Sequence, residues 1–230
     1  MDCTWVSYLL RYERFGQLGM KKRKTIFILW VVGIFSLIQG IPVAVGGVTR
    51  EETKLEEQRV FDWRKERDTF FRNHQRSPLL PKDRGNFKGL KYYPFSPPQI
   101  FSGKIERFVF NINNPKYYAT FLTNKGTNKR YLRYGNFRFT LDGKQYAIEI
   151  YKSILSDYLF VPFKDKTNGR DTYEGGRYID AEVLADYQMV LDFNMAYNPS
   201  CAYNEKFVCV VPPRENMLDI EVCAGEKNFK

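Results

Sequence analysis

Residues 136–150 read Asn-Phe-Arg-Phe-Thr-Leu, then Asp-Gly, then Lys-Gln-Tyr-Ala-Ile-Glu-Ile, two alternating runs joined by two residues. Successive side chains of a strand point to opposite faces, and a two-residue connection closes when both turn residues tolerate positive φ, as Asp-Gly does. The stretch therefore predicts an antiparallel hairpin with Phe139 opposite Tyr146 and Phe137 opposite Ile148. Arg138, Thr140, Gln145 and Glu149 then line the other, wet side. Strand-like runs recur at 105–112, 117–123, 157–163, 187–195 and 217–223, with no helical period between them. The expected fold class is mainly β (α+β): a single antiparallel sandwich or partly closed barrel.

One helix precedes the strands. Thr49 with Glu52 fits a capping box, and Glu51, Glu52, Glu56 and Glu57 suit the positive end of a helix dipole. Val60, Trp63 and Phe70, flanked by Leu55 and Phe71, form an apolar stripe, while Arg59, Lys65, Glu66 and Arg67 are expected to face water. His74 at the end of this helix reads as a capping or surface residue. Ser77-Pro78-Leu79-Leu80-Pro81 breaks the helix.

Ahead of the helix, Thr25 to Thr49 carries no charge, and Lys21, Lys22, Arg23 and Lys24 stand immediately before it. A basic cluster followed by an apolar run is the layout of an export signal. Residues 20–46 are read as a signal peptide cleaved near Ala44-Val45-Gly46, or as a transmembrane anchor that would make the membrane a partner. Met20 makes a natural start, so residues 1–19 read as an over-extended beginning. The region 49–230 is then a single β-rich domain, periplasmic or membrane-anchored, outside the cytoplasm.

Composition removes several function classes. The single His excludes a multi-histidine metal site, and no Walker, Rossmann or EF-hand spacing occurs, so no metal or cofactor is expected. Net charge is +10, but residues 1–46 hold six basic against two acidic groups, leaving 30 against 24 in the remainder. Those are intermixed rather than gathered in a stripe, so nucleic acid is not an expected partner.

The unusual residues lie late in the chain. Tyr173-Glu174-Gly175-Gly176-Arg177-Tyr178-Ile179-Asp180, Leu191-Asp192-Phe193-Asn194, Asn198-Pro199-Ser200-Cys201-Ala202-Tyr203-Asn204, Pro212-Pro213-Arg214-Glu215-Asn216 and Ala224-Gly225-Glu226-Lys227 form distinctive blocks. Together with Trp63-Arg64, Phe70-Phe71, Ser77-Pro78-Leu79 and Phe87-Lys88-Gly89-Leu90, they resemble the bacterial and archaeal family known as domain of unknown function 1684, over about residues 60–227. The family's pattern has proline soon after the second cysteine, where this chain has Val210 and Val211. The resemblance implies a fold and a surface for a site, and carries no activity.

The residues themselves allow three functions. Asp192 and Asn194, alternating on a strand, would share a face, Arg177 can grip a carboxylate or phosphate with two parallel hydrogen bonds, and Tyr173, Tyr178, Tyr197 and Tyr203 supply flat walls with polar tips. The first function is an exported cell-envelope protein binding a small polar or anionic ligand. The second is a hydrolase using carboxylates around Asp180, Asp192 and Glu215. The third is a structural or interaction module without ligand, in which Asp, Asn and Gly fix turns. All three expect Tyr173, Arg177, Tyr178, Asp180, Asp192, Asn194, Asn198, Tyr203, Glu215 and Asn216 to converge on one basin, with Arg177 meeting Asp180, Asp192 or Glu215. Cys201 and Cys209 are a disulfide candidate, with Cys223 buried in a last strand, and the cysteine spacing does not suit zinc.

Overall fold

The structure, a computed structural model, describes residues 50–109, 111 and 113–230. The expected capping residue Thr49 and the apolar export segment lie outside the described residues. Among the described residues no helix is long and apolar enough to cross a membrane.

Helix α1 spans Arg50–Asn73 and is followed by a single turn, α2, at Pro81–Arg84. The strands are β1 (Ile100–Arg107), β2 (Tyr118–Leu122), β3 (Asn128–Leu141), β4 (Lys144–Ser153), β5 (Leu159–Phe163), β6 (Arg177–Asp180) and β7 (Gln188–Asp192). They form one antiparallel sheet in the order β6-β5-β4-β3-β1-β7, with β2 also on β3, curled into a half-barrel. The long β3 makes this possible. Its first residues, 128–132, pair with β2, residues 135–137 pair with β1, and its other edge pairs with β4 from Tyr131 to Leu141, with a register shift between Arg133 and Gly135.

The β3–β4 hairpin has the expected register, Phe137 opposite Ile148 and Phe139 opposite Tyr146, around a turn with Asp142 at φ 50° and Gly143 at φ 75°. Its far side is only partly wet. Arg138, Thr140 and Gln145 are exposed, whereas Glu149 and Tyr151 are buried. Both faces of the sheet are covered at that end, so strict alternation of core and solvent fails there. One face carries Phe137, Ile148, Ile150, Val161, Phe163 and Leu191. The other carries Phe121, Tyr131, Tyr151, Tyr158, Phe160, Tyr178, Tyr197 and Val210, with Trp63 of α1 packed against them.

Three strand expectations need correction. The first strand runs 100–107 rather than 105–112, because Ile100 to Lys104 pair with β7. Residues 217–223 form no strand: Met217 bridges Lys164, and the segment then follows residues 164–166 through Leu218 N–H to Lys164 O and Lys166 N–H to Ile220 O, both 2.8 Å. The Asp165 carboxylate, not a neighbouring backbone, accepts the Val222 N–H at 3.2 Å. Strand β6, four residues long with charged ends at Arg177 and Asp180, has too short a pattern to be read from sequence.

Helix α1 buries Val60, Phe70 and Phe71 as its stripe requires, but Leu55 is exposed. Arg67, expected in water, is almost wholly buried, and Arg64 is buried beside it. The helix ends where the Ser77 hydroxyl donates to the Phe71 carbonyl at 2.6 Å. His74 stacks on Phe70, and its Nδ1 accepts the Arg76 N–H at 3.1 Å.

Candidate functional site

Buried cations organise the late loops. Beneath α1, the Arg67 guanidinium lies 4.8 Å from the Tyr197 ring and 5.0 Å from Trp63, and donates to Glu226 Oε2 at 3.1 Å. The same carboxylate accepts the Asn198 backbone N–H and side-chain Nδ2, each at 3.1 Å, and the Tyr203 hydroxyl. Both charges are out of water, which is sustainable only with this degree of hydrogen bonding. Burial pushes the Tyr203 hydroxyl above its ordinary range, so it stays a donor.

Arg177 organises a second tie. Gly176, at φ 92°, turns the chain into β6 where any Cβ would lie 2.7 Å from the Phe163 carbonyl. The guanidinium then donates to Asp165 Oδ2 at 2.7 Å, to the Val222 carbonyl at 2.9 Å and to the Ala224 carbonyl. Both members of this ion pair are 0% exposed. Asp165 Oδ1 meanwhile accepts the Thr167 N–H at 2.9 Å and its hydroxyl at 2.6 Å, so the loop between β5 and β6 is held to the C-terminal segment.

Asp192 and Asn194 meet, though not by strand alternation. β7 ends at Asp192, whose Oδ1 accepts the Asn194 N–H and Nδ2, each at 2.9 Å, capping a 3-10 turn at Phe193–Met195. Asp192 Oδ2 takes Arg59 at 2.8 Å. Asn194 pairs with both backbone groups of Ser96, accepting its N–H at 2.8 Å and donating to its carbonyl at 2.9 Å. Burial pushes the Asp192 carboxyl upward, outweighing its bonds to Asn194 and the Arg59 charge. Asn216 works similarly, accepting the Glu149 N–H at 2.7 Å and donating to the carbonyls of Glu149 and Pro162 at 2.9 and 2.8 Å. Beside it Arg133 clasps Glu149, which also accepts the Tyr151 hydroxyl at 2.8 Å, while exposed Glu215 sits 3.4 Å from Arg133. Asp180 accepts the hydroxyls of Tyr158 and Tyr197, each at 2.7 Å, and Tyr178 donates to the Val210 carbonyl at 2.5 Å.

The ten residues singled out in the sequence thus serve several ties and do not share one basin. Arg177 and Tyr178, adjacent on β6, point to opposite faces of the sheet. Arg177 meets Asp165, not Asp180, Asp192 or Glu215. Asn198 and Tyr203 share Glu226, Asp192 adjoins Asn194, and Glu215 and Asn216 flank Glu149 from adjacent positions. Tyr173 stands apart, its hydroxyl 3.7 Å from the Cys201 sulfur. The Cys201–Cys209 bridge is not formed: the Cys201 thiol is free, its side chain turned to Tyr173, while its backbone N–H reaches Cys209 Sγ at 3.2 Å. Burial pushes the Cys201 thiol upward, away from the thiolate a nucleophile needs. Cys223 is exposed rather than buried. Among the described residues no three His, Cys, Asp or Glu side chains gather as metal ligands would.

Sequence reasoning missed Arg67, Glu149, Asp165 and Glu226, the charges at the centres of these ties. A buried charge has no periodic signal. Only the Arg67 position, one helical turn from Trp63 and from Phe71 on the buried stripe, hinted at it.

A curled antiparallel half-barrel whose loops are secured by enclosed arginine–carboxylate pairs defines the structural class. The chain belongs to the family described as protein of unknown function DUF1684, whose pattern matches residues 85–227. It is similar to an uncharacterized protein of Haloarcula marismortui solved by solution NMR, with 34% sequence identity and a TM-score of 0.60, over 78% of this chain and 97% of that one. No curated protein matches the chain.

Proposed function

We propose that the chain is an exported cell-envelope binding domain, in which the buried polar residues are internal ties and recognition falls to the exposed surface. The internal-tie part of this reading is carried by the closure of the Arg177–Asp165 pair: both side chains are 0% exposed, and the guanidinium is spent on a carboxylate and two backbone carbonyls. An arginine used in this way has no fork left for a ligand. The hydrolase reading has less support, because Asp180, Asp192 and Glu215 each belong to a different tie, with tyrosines, Arg59 and Arg133 respectively. Export rests on the Lys21–Lys24 cluster and the uncharged run from Thr25 to Thr49.

The test combines location with stability. A tagged full chain is expected in the envelope fraction, and Arg177→Ala is expected to lower the melting temperature sharply. Full-length protein confined to the soluble cytoplasm overturns the export reading. An Arg177→Ala variant as stable as the wild type overturns the assignment of the cluster as internal ties.

A further inference from the structure

One arginine of the half-barrel contrasts with the buried ones. Arg107, the last residue of β1, is exposed at the rim of the sheet opposite Gly135. Its guanidinium lies 4.0 Å from the ring centroid of Tyr134 and 4.9 Å from that of Tyr187, and one N–H donates to the Tyr134 hydroxyl at 3.2 Å. Among the described residues it forms no ion pair. Glu106, its neighbour in the strand, is committed to Arg138 at 2.8 Å on the other face.

The backbone under Tyr187 is unusual as well. Asp186 and Tyr187 both have positive φ, 54° and 60°, in a turn closed by the Gln188 N–H on the Ala185 carbonyl. A two-residue hairpin turn of this kind favours Asn-Gly, and a bulky residue in its second place is strained. Here that place is filled by a tyrosine whose ring covers Arg107. Tyr187 remains 47% exposed, so the stack borders open solvent and its own apolar ring is accessible.

A guanidinium held against two aromatic rings loses less side-chain freedom when it binds, and its N–H edge matches the paired oxygens of a carboxylate or phosphate. We infer that Arg107, Tyr134 and Tyr187 form a binding site for a small organic oxyanion, a carboxylate or phosphate ester with an apolar body that rests against the exposed Tyr187 ring. This rests on the reading of the chain as a binding domain and names its site.

The test uses the ¹⁵N-labelled full chain in a non-ionic detergent, titrated with benzoate, with phenyl phosphate, with inorganic phosphate and with neutral benzamide. Benzoate or phenyl phosphate should give saturable shifts at the amides of Arg107, Tyr134 and Tyr187, and benzamide none. Which of the two binds tighter separates carboxylate from phosphate chemistry, and weaker binding of inorganic phosphate shows the contribution of the apolar body. Arg107→Lys should weaken binding at least tenfold. Tyr187→Gly should also weaken it while holding or raising the melting temperature, since glycine relieves the turn. The proposal is overturned if neither aromatic anion gives a saturable shift there, if Arg107→Lys binds like the wild type, or if Tyr187→Gly lowers the melting temperature and leaves binding unchanged. None of these results bears on fractionation or on Arg177→Ala, so the broader reading stands or falls separately.

Discussion

The two faces of the sheet are held by different physics. On one, Phe137, Ile148, Ile150, Val161, Phe163 and Leu191 pack side by side, with the buried Arg177–Asp165 pair at its end. On the other, tyrosines surround Phe121 and Phe160, with edge contacts such as Phe121 on Tyr151 at 4.8 Å and Phe160 on Tyr178 at 5.7 Å. Apolar burial is non-directional and does not by itself choose which chain segment supplies a partner. A buried tyrosine also needs an acceptor for its hydroxyl: Tyr151 finds it two residues back at Glu149, whereas Tyr158 and Tyr197 share Asp180 and Tyr178 takes the Val210 carbonyl, all far away in the chain. The apolar face therefore supplies burial, and the tyrosine face specifies where the irregular C-terminal loops sit.

The sharpest way to break this comparison is at the apolar face and its buried ion pair. Phe137→Ala is expected to cost about 3–5 kcal/mol, the usual range for emptying a fully buried aromatic site. Asp165→Ala should cost about the same, 3–5 kcal/mol, because it leaves Arg177 charged, buried and without its partner. Chemical denaturation of both variants checks this. An Asp165→Ala loss below about 1 kcal/mol would show that the tie is ornamental and that apolar burial alone closes that end.

A smaller pair sharpens the contrast between faces. Tyr178→Phe removes only an oxygen yet strands the Val210 carbonyl, at an expected cost of about 1–3 kcal/mol. Ile148→Val removes one methylene from the apolar face and should cost about 0.5–1.5 kcal/mol. If Tyr178→Phe proves the milder change, the hydroxyls do not position the loops.

The smallest expected effect is a pH dependence at Asp192. Burial raises its folded carboxyl above the unfolded value, so the folded state holds the proton more tightly. The associated stability is fully present below the unfolded carboxylate range and is lost as pH rises through the folded value. The stability of the wild type relative to Asp192→Asn should accordingly fall with rising pH across that window, in paired denaturation series. A difference that rises with pH would mean that the Arg59 charge, not burial, governs this group.

Much of the sheet was legible from side-chain period and turn chemistry. The Asp142-Gly143 hairpin, the strands near 117–123, 157–163 and 187–195, and the apolar stripe of α1 all follow from interactions between residues close in sequence. Such local preferences act before any tertiary contact exists. What only the tertiary structure decided are the partners of charges and hydroxyls: that Arg67 turns inward to Glu226 across 159 positions, that Arg177 takes Asp165 rather than a later acid, and that Cys201 faces Tyr173. A polar group records its chemistry in the sequence but not its partner, because the partner is chosen by which backbone the packed faces bring within 3 Å or so, and that geometry exists only once both faces of the sheet are covered.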